Sequence, residues 1–514
     1  MKKLWIFIFL PLIACNDWLN VTSENDTTLT GYFKNEQEVE TWMYSVLHHE
    51  RRLETMSRRH MHDYSGLLCS DGGTYDGYRR LDPVFCLDIR WMLAWTEHYN
   101  VIYMADVLIE NRYRFKNVSE ERADFWVAQA NFAKAYAYYD LARKWGEAPI
   151  PKSSESADPE PKQPIEKVLA EAIRCAEAAL SLPNHEALRD CYGAIVTSRQ
   201  YASQGTVQTL LANIYAWMGG LYGDPAYWKK AEEAASLVID GKAGEYALED
   251  NIGLMLKNCQ GSIRNSKETI FNMELNGMDE DYTEWTQFET FCAGQVLIDY
   301  PYLAASPQPL ENNVEKPKIT VERVREVYPE AADQRLKEYW YKLGEVKYAT
   351  SGGDSVTSEY AFLDKWKEGI RQDNPEQVDN YTGIVRMDGN RVVWRLADLI
   401  LLRAECRARL QLATAKDDLD RIRLRAGLRE YQGSTAPEAL RKEIFRERER
   451  ELFGEGHRYY DIVRNGYFRE ELEGKYKILT DEDVKNGALY LPIMSAAFIK
   501  NPYMKQNTYW LWQQ

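Results

Sequence analysis

Alanine and aromatic residues share one face of the stretch from Glu120 to Trp145, where Ala128, Ala133 and Ala137 fall among Phe132, Tyr136 and Tyr139 at helical spacing. Small residues between aromatics let neighbouring helices approach closely. The pattern recurs in pairs. "PIEKVLAEAIRCAEAALSLP" (164 to 183) follows as an amphipathic helix closed by a proline. Then come "VQTLLANIYAWMG" (207 to 219) with "YWKKAEEAASLVIDG" (227 to 241), and "VVWRLADLILLRAECRARLQL" (392 to 412) with "TAKDDLDRIRLRAGL" (414 to 428).

An alanine and aromatic first helix followed by a K-A-x-x-x-A second helix resembles the tetratricopeptide pattern, but the units do not recur at about 34 residues. They are units separated by insertions. The largest, about residues 246 to 390, is rich in Asp, Asn, Gly, Pro, Tyr and Trp and carries short strand-like runs such as "ETIFNMEL" and "YAFLDKW". The expected fold is mostly α: a scaffold of tetratricopeptide-like helix pairs with loop-rich insertions and a few short strands. The chain has 514 residues, 45% hydrophobic and 28% charged, enough to bury a large core. Helical arrays grow without splitting, so this length does not require several domains.

The N-terminus has another logic. Lys2 and Lys3 precede an apolar run from Leu4 to Ile13, and the small Ala14 stands before Cys15, the order of a secretory signal. A spanning helix needs roughly 18 apolar residues, and Asn16 and Asp17 end this run too soon. Leu12-Ile13-Ala14-Cys15 matches the bacterial lipoprotein box, in which the cysteine is acylated and becomes the new N-terminus. Residues 1 to 14 therefore read as a signal peptide and 15 to 34 as a lipidated leader, with Cys15 as the lipidation site. Several acyl chains on that cysteine would give stable anchoring.

The net charge is −15, and removal of Lys2 and Lys3 makes the mature chain more negative still, which argues against nucleic acid or an anionic membrane surface as the main partner. The cysteines beyond Cys15 (Cys69, Cys86, Cys175, Cys191, Cys259, Cys292 and Cys406) are scattered, odd in number and without a C-x-x-C pair, so they form neither a disulfide framework nor a zinc site. Spacing leaves a Cys69–Cys86 bridge open.

Asn35 can cap a first helix with Glu38 three residues on, and Val39, Trp42, Met43, Val46 and Leu47 share a face. Residues 59 to 88 then lose the helical period and gather Gly66, Gly72, Gly73, Gly77 and Pro83 among tyrosines, Arg79 and Arg80. A long aromatic loop in a helical protein is usually functional or mobile. Helical patterning returns at about Ile89 to Tyr113. In "TAPEALRKEIFRERERELFGEGHRYYDIVRNG", Thr435 and Glu438 read as a capping box, Leu440, Ile444 and Leu452 as an apolar stripe, and Gly454 and Gly456 as the stop. The glutamates cancel Arg446, Arg448 and Arg450, so the run reads as an ion-paired helix beside the repeats, its charges projecting around the other faces, and not as a nucleic-acid site.

"IFRERERELFGEGHRYYDIVRNG" followed by "LYLPIMSAAFIKNPYMKQNTYW" resembles the C-terminal signature of the SusD/RagB family, surface lipoproteins that pair with TonB-dependent transporters in Bacteroidota. "GYFKNEQEVETWM", "QANFAKAYAYYDLARKWGEAPIPK" and "WRLADLILLRAECRARL" stand in the order of that family. Met494 replaces its usual proline after "LYLPI", and "LFGEGH" lacks a typical alanine. The resemblance implies one domain over 35 to 514, built on four tetratricopeptide-like units, with ligand-contacting loops supplied by insertions. It also implies an outer-membrane, cell-surface protein whose partners are a SusC-like TonB-dependent transporter and an oligosaccharide or peptide ligand.

No G-x-S-x-G, P-loop or H-E-x-x-H motif is present, and no catalytic residue or cofactor is expected. Glycosidase carboxylates leave no fixed motif, so a surface glycoside hydrolase stays open as an alternative; Asp279, Asp281 and Glu284 in "DEDYTEW" read ordinarily as a solvated acidic loop. His48 with His49, and His60, His62 and Asp63 in "HMHD", lack a third ligand at metal-site spacing. The 15 Trp and 34 Tyr fit sugar binding, in which flat C–H faces stack on aromatic rings. Helical aromatics such as Trp42 and Trp217 belong to the core. The ligand-binding candidates lie in irregular segments: Tyr75, Tyr78 and Arg79 in the first loop, and Tyr282, Trp285 and Phe288 in the insertion.

Overall fold

The computed structural model describes residues 31–56, 62, 65–87, 94–260, 266–275, 317–349, 355–365, 369–373, 382–387 and 389–513. Helix α1 (Glu36–Met56) begins where Asn35 Oδ1 accepts from the Glu38 amide at 3.0 Å. It buries Val39, Met43, Val46 and Leu47, while Trp42 is half-buried and donates from Nε1 to the Met104 carbonyl at 2.9 Å. Two single-turn helices, α2 (Asp76–Arg79) and α3 (Pro83–Cys86), lie within the first aromatic loop. The next long helix, α4 (Thr96–Glu110), starts later than the sequence pattern suggests, and residues 88–93 lie outside the described set.

Helix α5 (Glu120–Trp145) has the bounds expected, capped by Ser119 Oγ at one end and by Gly146, at φ 75°, at the other. It is followed by α6 (Ile165–Ala178), α7 (Gln204–Tyr222) and α8 (Pro225–Ile239). Ser203 and Thr206 form a reciprocal capping box on α7. Gly219 lets the two helices close up: a Cβ there would meet the Trp228 ring at 2.6 Å. Helices α9 (Leu396–Arg409) and α10 (Ala415–Arg425) make the last pair. Among the described residues α1 packs on α4, α5 on α6, α7 on α8 and α9 on α10, and neighbouring pairs pack on one another. These are four tetratricopeptide-like units; the first three share one core that reaches α9, and the α9–α10 pair closes a second core with Leu440 and Ile444.

Residues 391–395 are not the first turn of α9. They form a strand, β2 (Arg391–Arg395), antiparallel to β1 (Thr269–Met273), the "ETIFNMEL" run. Both strands are buried along their whole length, so their apolar runs carry no alternation, and a buried strand and a buried helix end then look alike in sequence. Among its described residues "YAFLDKW" makes isolated bridges, Thr320 to Tyr360 and Trp340 to Leu363, and no strand. The insertion has its own core of Ile252, Tyr339, Trp340 and Leu363, closed by Phe453.

Helix α11 (Pro437–Glu451) also departs from expectation at both its cap and its faces. Ala436 is the N-cap and makes no side-chain bond; Pro437 at the first position supplies the helical φ in place of the Thr435–Glu438 box. The charges do not project around the outside: Glu447, Arg448, Glu449, Arg450 and Glu451 are buried. Arg395 uses all five N–H donors on Glu268, Glu451, Glu455 and the Glu451 carbonyl, at 2.6 to 3.0 Å. Arg335 forks onto Asp333 at 2.8 Å and reaches Glu447 at 2.7 Å. Lys365 Nζ donates to Glu455 at 2.5 Å. Charges from the insertion are thus neutralised inside the scaffold, Arg335 by Glu447 and Glu451 of α11, Lys365 by Glu455 just beyond it and Glu268 by Arg395 and Arg425, which fixes one against the other. Gly454 and Gly456, at φ 77° and 83°, turn the chain into α12 (Arg458–Asn465).

Candidate functional site

The first loop, 65–87, is seated on the signature segment by two close approaches that only glycine permits. A Cβ on Gly66 would stand 2.7 Å from the Tyr459 amide nitrogen, and one on Gly474, at φ 63°, would stand 2.4 Å from the Arg80 carbonyl oxygen. Ser65 Oγ lies 3.0 Å from Tyr476 Oη. At the other flank Ser70 donates to the Lys318 carbonyl and Lys318 to the Asp71 carbonyl, both at 2.7 Å, tying the loop to the insertion.

On this base α2 and α3 form a small aromatic surface. Tyr75 and Tyr78, both half-buried, have ring centroids 6.3 Å apart, and Phe85 stands edge-on to Tyr78 at 5.6 Å. Asp82 Oδ1 accepts from the Val84 amide at 3.1 Å and Pro83 starts the turn, which leaves Phe85 41% exposed. Phe85 was missed in sequence; its signal is the Asp-Pro turn that sets it outward, and Gly77, where a Cβ would meet its ring at 2.4 Å. Arg79 is placed differently from its neighbours: it is buried, and its Nε donates to Asp76 Oδ1 at 2.9 Å, so its guanidinium ties the turn together. Asp76 also pairs with Arg80. Tyr360 adjoins the loop under the Lys318 ammonium, 5.3 Å from the ring centroid.

Tyr282, Trp285 and Phe288, with Asp279, Asp281 and Glu284, lie outside the described residues, as do Cys15, His60 and Asp63. The structure therefore brings Tyr75 and Tyr78 together and leaves the second group unplaced. Cys69 and Cys86 are free thiols, and burial pushes Cys69 up to about 11. His49 pairs with Glu97 at 3.1 Å, and no group of His, Cys, Asp and Glu placed to hold a metal ion occurs among the described residues. No helix among them is long and apolar enough to cross a membrane.

Stacked helix pairs carrying an insertion, with an aromatic loop seated on the C-terminal segment, define a tetratricopeptide-like scaffold protein. A family described as "SusD family" matches residues 313–510, and one described as "Starch-binding associating with outer membrane" matches 17–220. The chain belongs to the SusD/RagB family. It is 23% identical over 450 residues to SusD-like protein P25 of Formosa agariphila, covering 80% of this chain and 78% of that one. A SusD homolog of Bacteroides thetaiotaomicron superposes with a TM-score of 0.73 at 22% identity, over 93% of this chain and 99% of that chain. A laminarin-binding SusD-like protein gives 0.67 at 20% identity, over 92% and 99%.

Proposed function

We infer that this is a cell-surface lipoprotein that captures an oligosaccharide on the aromatic face of its first loop and passes it, uncleaved, to a SusC-like TonB-dependent outer-membrane transporter. The observation that carries the reading is the Tyr75–Tyr78–Phe85 surface, three rings grouped on a turn whose backbone is held on the scaffold. Rings so placed offer flat faces to sugar C–H groups, and the fixed turn lowers the ordering cost of binding. Tyr282, Trp285 and Phe288 are proposed to complete the site. The family matched by residues 17–220 is described as starch-binding and associated with the outer membrane, and one structural relative binds laminarin, both in keeping with a glycan. Cys15 would carry the lipid, after a signal peptide of residues 1–14, and 35–514 would act as one domain.

Calorimetry with a panel of glycans and peptides, with product analysis of the same mixtures, tests the reading. Tyr78→Ala and Trp285→Ala are each expected to weaken glycan binding about 5-fold to 150-fold, on the order of 1 to 3 kcal/mol. Tight peptide binding without a glycan response would change the ligand class, and released sugar would make the protein an enzyme. Fatty-acid labelling should mark the wild type and not Cys15→Ala.

A further inference from the structure

We propose that His62 is a proton-sensitive latch: its neutral ring docks the first loop on the C-terminal signature segment, and protonation undocks it. The ring is fully buried and stacks face to face on Tyr459, centroids 4.1 Å apart and planes 12° apart. Tyr460 meets it edge-on at 6.1 Å. No partner stands at full hydrogen-bond geometry to either ring nitrogen; the Leu489 carbonyl, the one backbone acceptor that favours a proton on the ring, already accepts from Tyr459 Oη at 2.8 Å. His62 is also the residue from which the loop departs: its carbonyl accepts from the Gly66 amide at 2.9 Å, and Gly66 lies against Tyr459.

Every charge around the ring opposes a proton on it or is already spent. On α5, Lys144 and Arg143 are cations, and Asp140, the one acid there that favours the charged ring, is held by His98 at 2.7 Å, Arg143 at 2.7 Å and Lys144 at 2.7 Å. The Tyr460 face already carries the Arg143 guanidinium at 4.3 Å. A cavity of about 40 Å³ adjoins His62, lined among others by Gly66, Arg448, Glu449, Arg458 and Asp461. Its acids are likewise engaged, Glu449 by Arg458 at 2.6 Å and Arg446 at 2.5 Å, Asp461 by Arg448 at 2.8 Å and Arg464 at 2.6 Å. Burial first, then Lys144, holds the imidazole well below its ordinary range. A proton acquired in this setting is accommodated by lifting the ring, and the loop with it, into water.

The sign follows from linkage. A histidine that stays neutral when docked and has an ordinary value of 6.5 when released favours the docked loop above that pH and loses the preference as pH falls. Between pH 8 and pH 5 the opening equilibrium of the loop can rise by up to roughly 30-fold. Any effect on ligand rests on the reading of this loop as the binding surface.

Hydrogen exchange of the full-length protein, corrected for intrinsic rates and referred to α7, reads the opening of residues 66–87 directly. The wild type is expected to lose loop protection at pH 5 relative to pH 8, and His62→Phe, which keeps a stacking ring without a titrating group, to lose none. His62→Gln serves as the second non-titrating variant. Unchanged protection in the wild type, or the same pH response in both variants, overturns the latch. Glycan affinity measured at both pH values separates the two readings: undocking without a change in affinity upholds the latch and removes the loop from the ligand site.

Discussion

Arg395 Nη1 and Glu451 Oε1 are 2.6 Å apart with neither side chain exposed to solvent, one from the strand that pairs with the insertion and one from the last turn of α11. Removing one partner leaves a buried network with one charge uncompensated where water cannot reach it, which costs about 3–5 kcal/mol. Arg395→Met and Glu451→Gln should each destabilise by that order, read from urea unfolding midpoints. The double variant is expected to cost less than the sum, because the second change removes the charge that the first exposed.

This network and a second buried one around Glu405 set the response to acid. Burial alone would push Glu451 and Glu405 up, but Arg425, Arg395 and Arg335 around the first and Arg464 and Arg409 beside the second outweigh it and hold both at about 2. A folded value below the ordinary 4.5 gives stability that is complete above 4.5 and is lost as pH falls through 2. Unfolding free energy is therefore expected to drop across that window. Denaturant midpoints that stay flat from pH 4.5 to 2.5 would contradict this assignment.

Gly66 and Gly193 separate two reasons for glycine. At Gly66 the obstacle is the Tyr459 backbone, which cannot swing aside, and Gly66→Ala should cost about 1–3 kcal/mol by overpacking. At Gly193 nothing lies within 4 Å, but φ is 77°, and alanine there should cost about 1 kcal/mol from conformation alone. Thermal unfolding distinguishes the two, and only Gly66→Ala should also loosen the first loop in hydrogen exchange.

The helix pairs were legible because alanine and aromatic spacing reports directly on which face is buried, and α5 spans Glu120–Trp145, the stretch that carries that spacing. At Val392 to Trp394 the same logic failed, since a strand buried on both faces has no period to read. The partners of the charged helix were invisible for another reason. Arg335, Lys365 and Arg395 are far from α11 in sequence and meet it only through the fold, so an alternating Arg and Glu run carries no sign that it will be enclosed. At the candidate site the aromatic, glycine-rich composition pointed to the loop, and Tyr75 and Tyr78 do meet there. Composition could not say that Phe85 joins them or that Arg79 turns inward.

Arg79 gives the last test, because its geometry predicts a role distinct from contact with ligand. Its link to Asp76 is short and mostly shielded on the arginine side, at 2.9 Å with 7% and 31% side-chain exposure. Loss of a partly shielded pair is worth roughly 1 kcal/mol, about fivefold in affinity if the turn it holds is part of the binding surface. Arg79→Gln should therefore weaken ligand binding by about that factor and at the same time raise hydrogen exchange in α2. Tyr75→Ala should weaken binding by on the order of 1 to 3 kcal/mol with exchange little changed, since a half-exposed ring contributes to contact more than to the turn. Affinity lost in Arg79→Gln with the loop still protected would return Arg79 to the ligand, as its neighbours in sequence suggest. Both quantities unchanged would mean that Arg80 alone is enough to hold Asp76.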